Sequence, residues 1–168
     1  MYKISDIYFN AVSYLHPVIK IENFSHTVKD MVAAIKKFAP EAEGIAFRGA
    51  SGALVAMPIC EKLQMLPMMV RKPNDGSHSG KQLEGGYCHS FIIVDDLVDT
   101  GTTVQSILST IDKVYGGSNY KCLGVFCYYY NWNDGTPQKS IEDYRTGDEI
   151  QVYGTDGAAK SNKKRDIK

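Results

Sequence analysis

The chain has 168 residues, enough for one domain with a proper core and little room for a second. Hydrophobic residues make up 43% and charged residues 23%, and the formal net charge is zero, a globular composition that recommends neither a nucleic-acid nor a membrane partner. No apolar stretch approaches bilayer-spanning length, and Met1-Tyr2-Lys3-Ile4-Ser5-Asp6 lacks a basic segment followed by an apolar core, so a soluble chain without a signal peptide is expected.

The apolar pattern alternates between two periods along the chain. Val28, Met31, Val32, Ile35 and Phe38 recur at helical spacing, with Ser25 as N-cap and Pro40 as the stop. Gly44 to Phe47 is a short buried strand, and Gly49 to Gly52 a turn. Leu54 to Leu63 is a second helix, with a kink or a late start expected at Pro58. Leu66 to Val70 is a strand. Residues 71–89 are nearly devoid of apolar side chains and carry Gly76, Gly80, Gly85 and Gly86, a long polar loop of the kind that serves as a functional lid or stays disordered. Phe91 to Val94 is the strongest strand, and Val104, Ile107, Leu108, Ile111 and Val114 form the next helix, ended by Gly116-Gly117. Lys121 to Tyr130 and Ile150 to Tyr153 complete the strands. Strands alternating with helices predict an α/β domain with a mainly parallel sheet, whose ligands bind beyond the carboxyl ends of the strands.

Cys60, Cys88, Cys122 and Cys127 show no CxxC pairing and no histidine at metal-ligand spacing. Buried thiols in a reducing cytoplasm are the expectation. The run Lys160, Lys163, Lys164, Arg165 and Lys168 is a solvated basic tail over roughly residues 158–168, after a single domain over roughly 1–157.

The chemistry gathers behind the strongest strand. Val94 is followed at once by Asp95 and Asp96, a carboxylate pair that is costly at a strand end unless water, a metal or hydroxyl groups satisfy it. Asp99 and then Thr100-Gly101-Thr102-Thr103 open a helix, where free amides, hydroxyls and the positive end of the helix dipole make an anion site. A sugar phosphate with vicinal hydroxyls satisfies both halves. A P-loop is excluded because the lone Gly-Lys, Gly80-Lys81, is followed by Gln82, and no GxGxxG is present. Capping by Thr100 or Thr103 alone leaves the acidic pair unexplained.

The segment Phe91-Ile92-Ile93-Val94-Asp95-Asp96-Leu97-Val98-Asp99-Thr100-Gly101-Thr102-Thr103 resembles, position for position, the signature with which type I phosphoribosyltransferases bind 5-phosphoribosyl-1-pyrophosphate (PRPP). The resemblance implies a parallel, Rossmann-like core over roughly residues 23–157 with a small hood over roughly 1–22, in the manner of orotate- and adenine-type members. It implies that Asp95 and Asp96 contact the ribose hydroxyls directly or through Mg²⁺, and that Asp99 to Thr103 wrap the 5-phosphate. Arg48-Gly49-Ala50-Ser51-Gly52 looks like the family's pyrophosphate loop. Arg71, Lys72, His78 and Lys81 fall in a segment similar to its catalytic loop, although Asp75 stands where a lysine is expected and His78 is displaced by one residue. The activity implied is transfer of ribose 5-phosphate from PRPP to a nucleobase by a Mg²⁺-dependent homodimer. Of the aromatics at and just beyond the end of the strand Lys121 to Tyr130, Tyr130 and Trp132 are the candidates to stack the base, and Tyr128 and Tyr129 are read as core. A PRPP-sensing regulator or an inactive relative is compatible with the same signature.

Overall fold

The computed structural model describes residues 21–72, 80–117, 119–128 and 140–154. Helix α1 spans Ile21–Phe38, β1 Gly44–Arg48, α2 Gly49–Leu63, β2 Leu66–Val70 and β3 Leu83–Gly85. They are followed by β4 Ser90–Asp95, α3 Thr102–Tyr115, β5 Lys121–Cys127, β6 Ser140–Glu142 and β7 Glu149–Tyr153. The strands form one sheet in the order β3-β2-β1-β4-β5-β7-β6. The five inner strands are parallel, and the short edges β3 and β6 run antiparallel to their neighbours.

This is the expected α/β architecture, and β4 shows why its sequence reads as an unbroken apolar run. Phe91 and Ile93 pack on one face with Val104, Ile107, Leu108 and Ile111 of α3. Ile92 and Val94 pack on the other with Met31 and Ile35 of α1 and Val55 and Ile59 of α2. A strand covered on both faces has no polar side to alternate with.

Several local expectations are corrected. Ser25 is not an N-cap, because α1 begins at Ile21. Phe24 packs on the core one turn ahead of Val28, so the apolar stripe carries the helix past the hydroxyl. Gly49 to Gly52 is not a turn but the first turn of α2, and the helix runs through Pro58 rather than starting late. Pro58 removes the donor that the carbonyl of Leu54 would receive, on a side of α2 where Leu54 and Met57 are exposed. Gly52 lets that helix lie against the sheet: a Cβ there would stand 3.1 Å from the Val94 carbonyl oxygen and 3.0 Å from Phe47 Cβ.

The polar stretch 71–89 contains β3, which pairs with Met68 to Val70. The fifth strand stops at Cys127 rather than Tyr130, and β6 has no counterpart in the predicted elements. All four cysteines are buried. Among the described residues no helix is long and apolar enough to cross a membrane. The expected hood and basic tail fall almost wholly outside the described residues.

Candidate functional site

The parallel strands end together. The register that pairs Ala46 with Ile93 and Arg48 with Val70 brings Arg48, Val70 and Asp95 to one edge of the sheet. Asp95 is the last residue of β4 and is only 5% exposed. Its Oδ1 accepts the amide of Asp96 at 2.9 Å. Burial, the Asp96 side chain hydrogen-bonded to it and the Asp96 charge push the Asp95 carboxyl up to about 8, against smaller pulls from the Asp96 amide and then Lys72. Removing a carboxylate from water at this strand end strains the ligand-free protein in a way that a cation or a pair of hydroxyls would relieve.

The sign of this shift gives a test. In the unfolded chain Asp95 ionises near its ordinary value of 3.8, while in the folded chain it holds its proton to about 8. The folded state thus binds more protons across that range, and stability falls as pH rises through it before levelling off. Asp95→Asn is expected to flatten that fall and to stabilise the ligand-free protein near neutral pH by at least ~1.4 kcal/mol, the worth of one pKa unit. Urea unfolding of both proteins across this range checks it; parallel pH profiles would refute the buried-acid account.

Beyond Asp95 the chain crosses from strand to helix. Asp96 is half-buried, Val98 is buried at 4% exposure and anchors the turn, and Asp99 and Thr100 are exposed. Gly101 is the N-cap of α3 at φ 79°, in the left-handed region where a side chain is disfavoured. It therefore offers the helix no side-chain cap, and no acidic residue lies in the first turn. The Thr100 hydroxyl instead lies 2.8 Å from that of Thr102 and accepts a long 3.4 Å contact from the Thr102 amide. Thr102 and Thr103 are exposed. An uncapped helix N-terminus lined by hydroxyls is suited to an anion, and it follows the carboxylate pair within a few residues.

The cations approach from the neighbouring strands. Lys72 is exposed, with its Cε 3.7 Å from the Cβ position of Gly49, so it overhangs the first turn of α2. Arg48 is half-buried and has two protein partners: Nη1 donates to Ser106 Oγ of α3, and Nη2 donates to the Arg71 carbonyl at 3.0 Å. Arg71 Nε donates to Glu84 Oε1 of β3 at 2.7 Å. Lys81, Gly49 and Ala50 are exposed, Ser51 is half-buried, and Gly52 is buried under the Val94 carbonyl rather than open to solvent.

The structure thus gathers Asp95, Asp96, Lys72 and Gly49 beside the α3 N-terminus. His78, Tyr130 and Trp132 lie outside the described residues. Three participants were not anticipated. Ser106 and Glu84 partner Arg48 and Arg71, and nothing in their sequence context sets them apart. Tyr128 is buried in the core, and its hydroxyl donates to the Ser51 carbonyl at 2.6 Å and its amide to the Asp95 carbonyl at 3.3 Å. It braces the first turn of α2 against the end of β4.

No cluster of three or more metal-ligating side chains occurs among the described residues. Two adjacent carboxylates suit Mg²⁺ of the kind bound by one or two protein oxygens together with waters and ligand phosphates.

Comparison of the coordinates with solved structures identifies the architecture. Orotate phosphoribosyltransferase from Aeropyrum pernix superposes with a TM-score of 0.63 at 14% identity, over 86% of this chain and 77% of that one. The fold is that of the type I phosphoribosyltransferases. Adenine phosphoribosyltransferase from Thermoanaerobacter pseudethanolicus matches with a TM-score of 0.55 at 16% identity, over 81% of each chain. The adenine enzyme of Trypanosoma brucei, in complex with AMP, pyrophosphate and ribose-5-phosphate, matches at 0.52 and 14% identity over 67% of this chain and 54% of its own. No family model matches the sequence, and no curated protein matches it.

Proposed function

We propose that the chain is a Mg²⁺-dependent phosphoribosyltransferase that moves ribose 5-phosphate from PRPP to a ring nitrogen of a nucleobase, orotate or a purine base, and releases pyrophosphate. The observation that carries this is the buried Asp95 with Asp96 at the end of β4, followed directly by the uncapped N-terminus of α3. One turn of chain offers acceptors for a vicinal diol beside donors for a phosphate.

In this reading Asp95 and Asp96 accept the ribose hydroxyls, and the amides and hydroxyls of residues 99–103 hold the 5-phosphate. Cleavage at C1 leaves positive charge on the ribose and negative charge on the departing pyrophosphate. Mg²⁺, when bound, supplies charge neutralisation on the phosphate oxygens. Lys72 overhanging Gly49, with Lys81 and the guanidinium groups of Arg48 and Arg71, adds fixed positive charge on the leaving-group side. The carboxylates favour the charge that develops on the ribose. No covalent enzyme intermediate is needed, because the incoming nitrogen is the nucleophile.

The test is a panel of PRPP, Mg²⁺ and each common base, with pyrophosphate release and nucleoside monophosphate formation followed together. One base, or a related pair, should support stoichiometric formation of both products. Tight PRPP binding with no release for any base would replace the enzyme by a PRPP-sensing protein.

A further inference from the structure

The guanidinium of Arg48 joins three segments that the chain itself keeps far apart. It leaves the end of β1, reaches Ser106 one turn into α3, and reaches the carbonyl of Arg71, where the chain departs from β2. Arg71 is itself fixed on both sides: its amide donates to the Gln82 carbonyl at 2.9 Å and its Nε to Glu84 at 2.7 Å. Arg48 Nε is buried and has no hydrogen-bond partner among the described residues. That nitrogen is closed to solvent, while the two Nη atoms, each bonded to protein, remain only part-buried. Ser106 stands about one helical turn beyond the hydroxyls Thr102 and Thr103, on the helix whose N-terminus is the anion site. Lys72, the residue after Arg71, overhangs Gly49.

We propose that Arg48 and Ser106 form a strap that locks the root of the segment following β2 to the phosphate-binding helix, and that Ser106 is a positioning residue for Lys72 and Lys81. The part concerning turnover rests on the phosphoribosyl-transfer function proposed above; the part concerning the segment's root does not. A cation on a segment whose root is free returns to its place imprecisely, and small displacements of a charged group from a leaving group are expensive in rate. Tying the root to α3 makes the anion site and the cations that face the pyrophosphate parts of one rigid frame. The guanidinium suits this work because its planar fork holds two acceptors in fixed directions.

Ser106→Ala separates the strap from a direct contact between Arg48 and pyrophosphate, because it leaves the guanidinium in place. Alanine is also the better helix former, so α3 is kept. The first readout is amide hydrogen exchange on the ligand-free protein. Exchange at Arg71 and across β3 should accelerate about tenfold or more, as expected for loss of one charge-assisted bond at a local opening, while the amides of α3 after Ser106 stay as they were. The second readout is kinetic: kcat should fall about tenfold with the dissociation constant for PRPP within about twofold, the pattern of an interaction used in the transition state. Ser106→Thr, which keeps the hydroxyl, should restore both. Unchanged exchange at Arg71 and β3 overturns the strap whatever the activity. Accelerated exchange with unchanged kcat and PRPP affinity overturns the positioning role. If the wild-type chain transfers ribose 5-phosphate to no base, the functional reading fails while the exchange result still decides the strap.

Discussion

Asp95→Asn combined with Asp96→Asn is expected to abolish measurable PRPP binding in the presence of Mg²⁺ while leaving a folded and more stable protein. Each carboxylate is assigned a charge-assisted contact, and losing one costs about 1.5–3 kcal/mol. Two such losses correspond to a fall in affinity of about two to four decades. The stabilisation has the same origin as the loss. Asp95 is a buried acid whose ionisation the ligand-free fold resists, so asparagine relieves a burden that the ligand is meant to relieve. The wild-type affinity should also rise with pH toward about 8, since ionised Asp95 accepts hydrogen bonds from a diol and the protonated form accepts fewer. Titration calorimetry at several pH values reads both effects. Unchanged affinity in the double variant would sink the assignment of the ribose site.

The second large effect is expected at the root of the segment after β2. Arg71→Ala keeps the backbone carbonyl that Arg48 holds and the amide bonded to Gln82, and removes only the side chain paired with Glu84. The pair is partly exposed, so its loss is worth little in stability. Turnover is a different matter, because charge on the departing pyrophosphate is greatest in the transition state. Arg71→Ala, and Lys81→Ala beside it, should lower kcat by about two decades with a much smaller change in PRPP affinity. If the protein is the homodimer that the family resemblance implies and Arg71 acts across the interface, mixing Arg71→Ala with the double asparagine variant should restore part of the activity. No recovery from subunits shown to exchange would place Arg71 in its own site. Normal turnover in both single variants would remove the segment from catalysis and favour the sensing function.

Much of the fold is legible in the residues. The periods of α1, α3, β1, β2 and β4 follow from burial, since a helix packed on a sheet must repeat near 3.6 and a strand covered on both faces must be apolar throughout. The errors fall where tertiary contact overrides a local signal. Ser25 has the chemistry of a cap, but Phe24 already packs on the core. Gly49 to Gly52 have the composition of a turn, yet the helix starts there because Gly52 must lie against the Val94 carbonyl. A three-residue strand such as β6 leaves no period to detect.

For the site the division is just as physical. The sequence by itself determined the carboxylate pair and the hydroxyl-lined turn, because all of them lie within nine consecutive residues and the intervening backbone leaves them little choice of neighbour. The long-range pairings were decided by the tertiary structure alone. That Arg48 grips Ser106 fifty-eight residues away, that Arg71 pairs with Glu84 rather than standing free, and that Tyr128 braces Ser51 depend on the strand order β3-β2-β1-β4-β5 and on its register. A charged side chain announces that it needs a partner; which partner it gets is set by the packing that brings distant segments to one edge of the sheet.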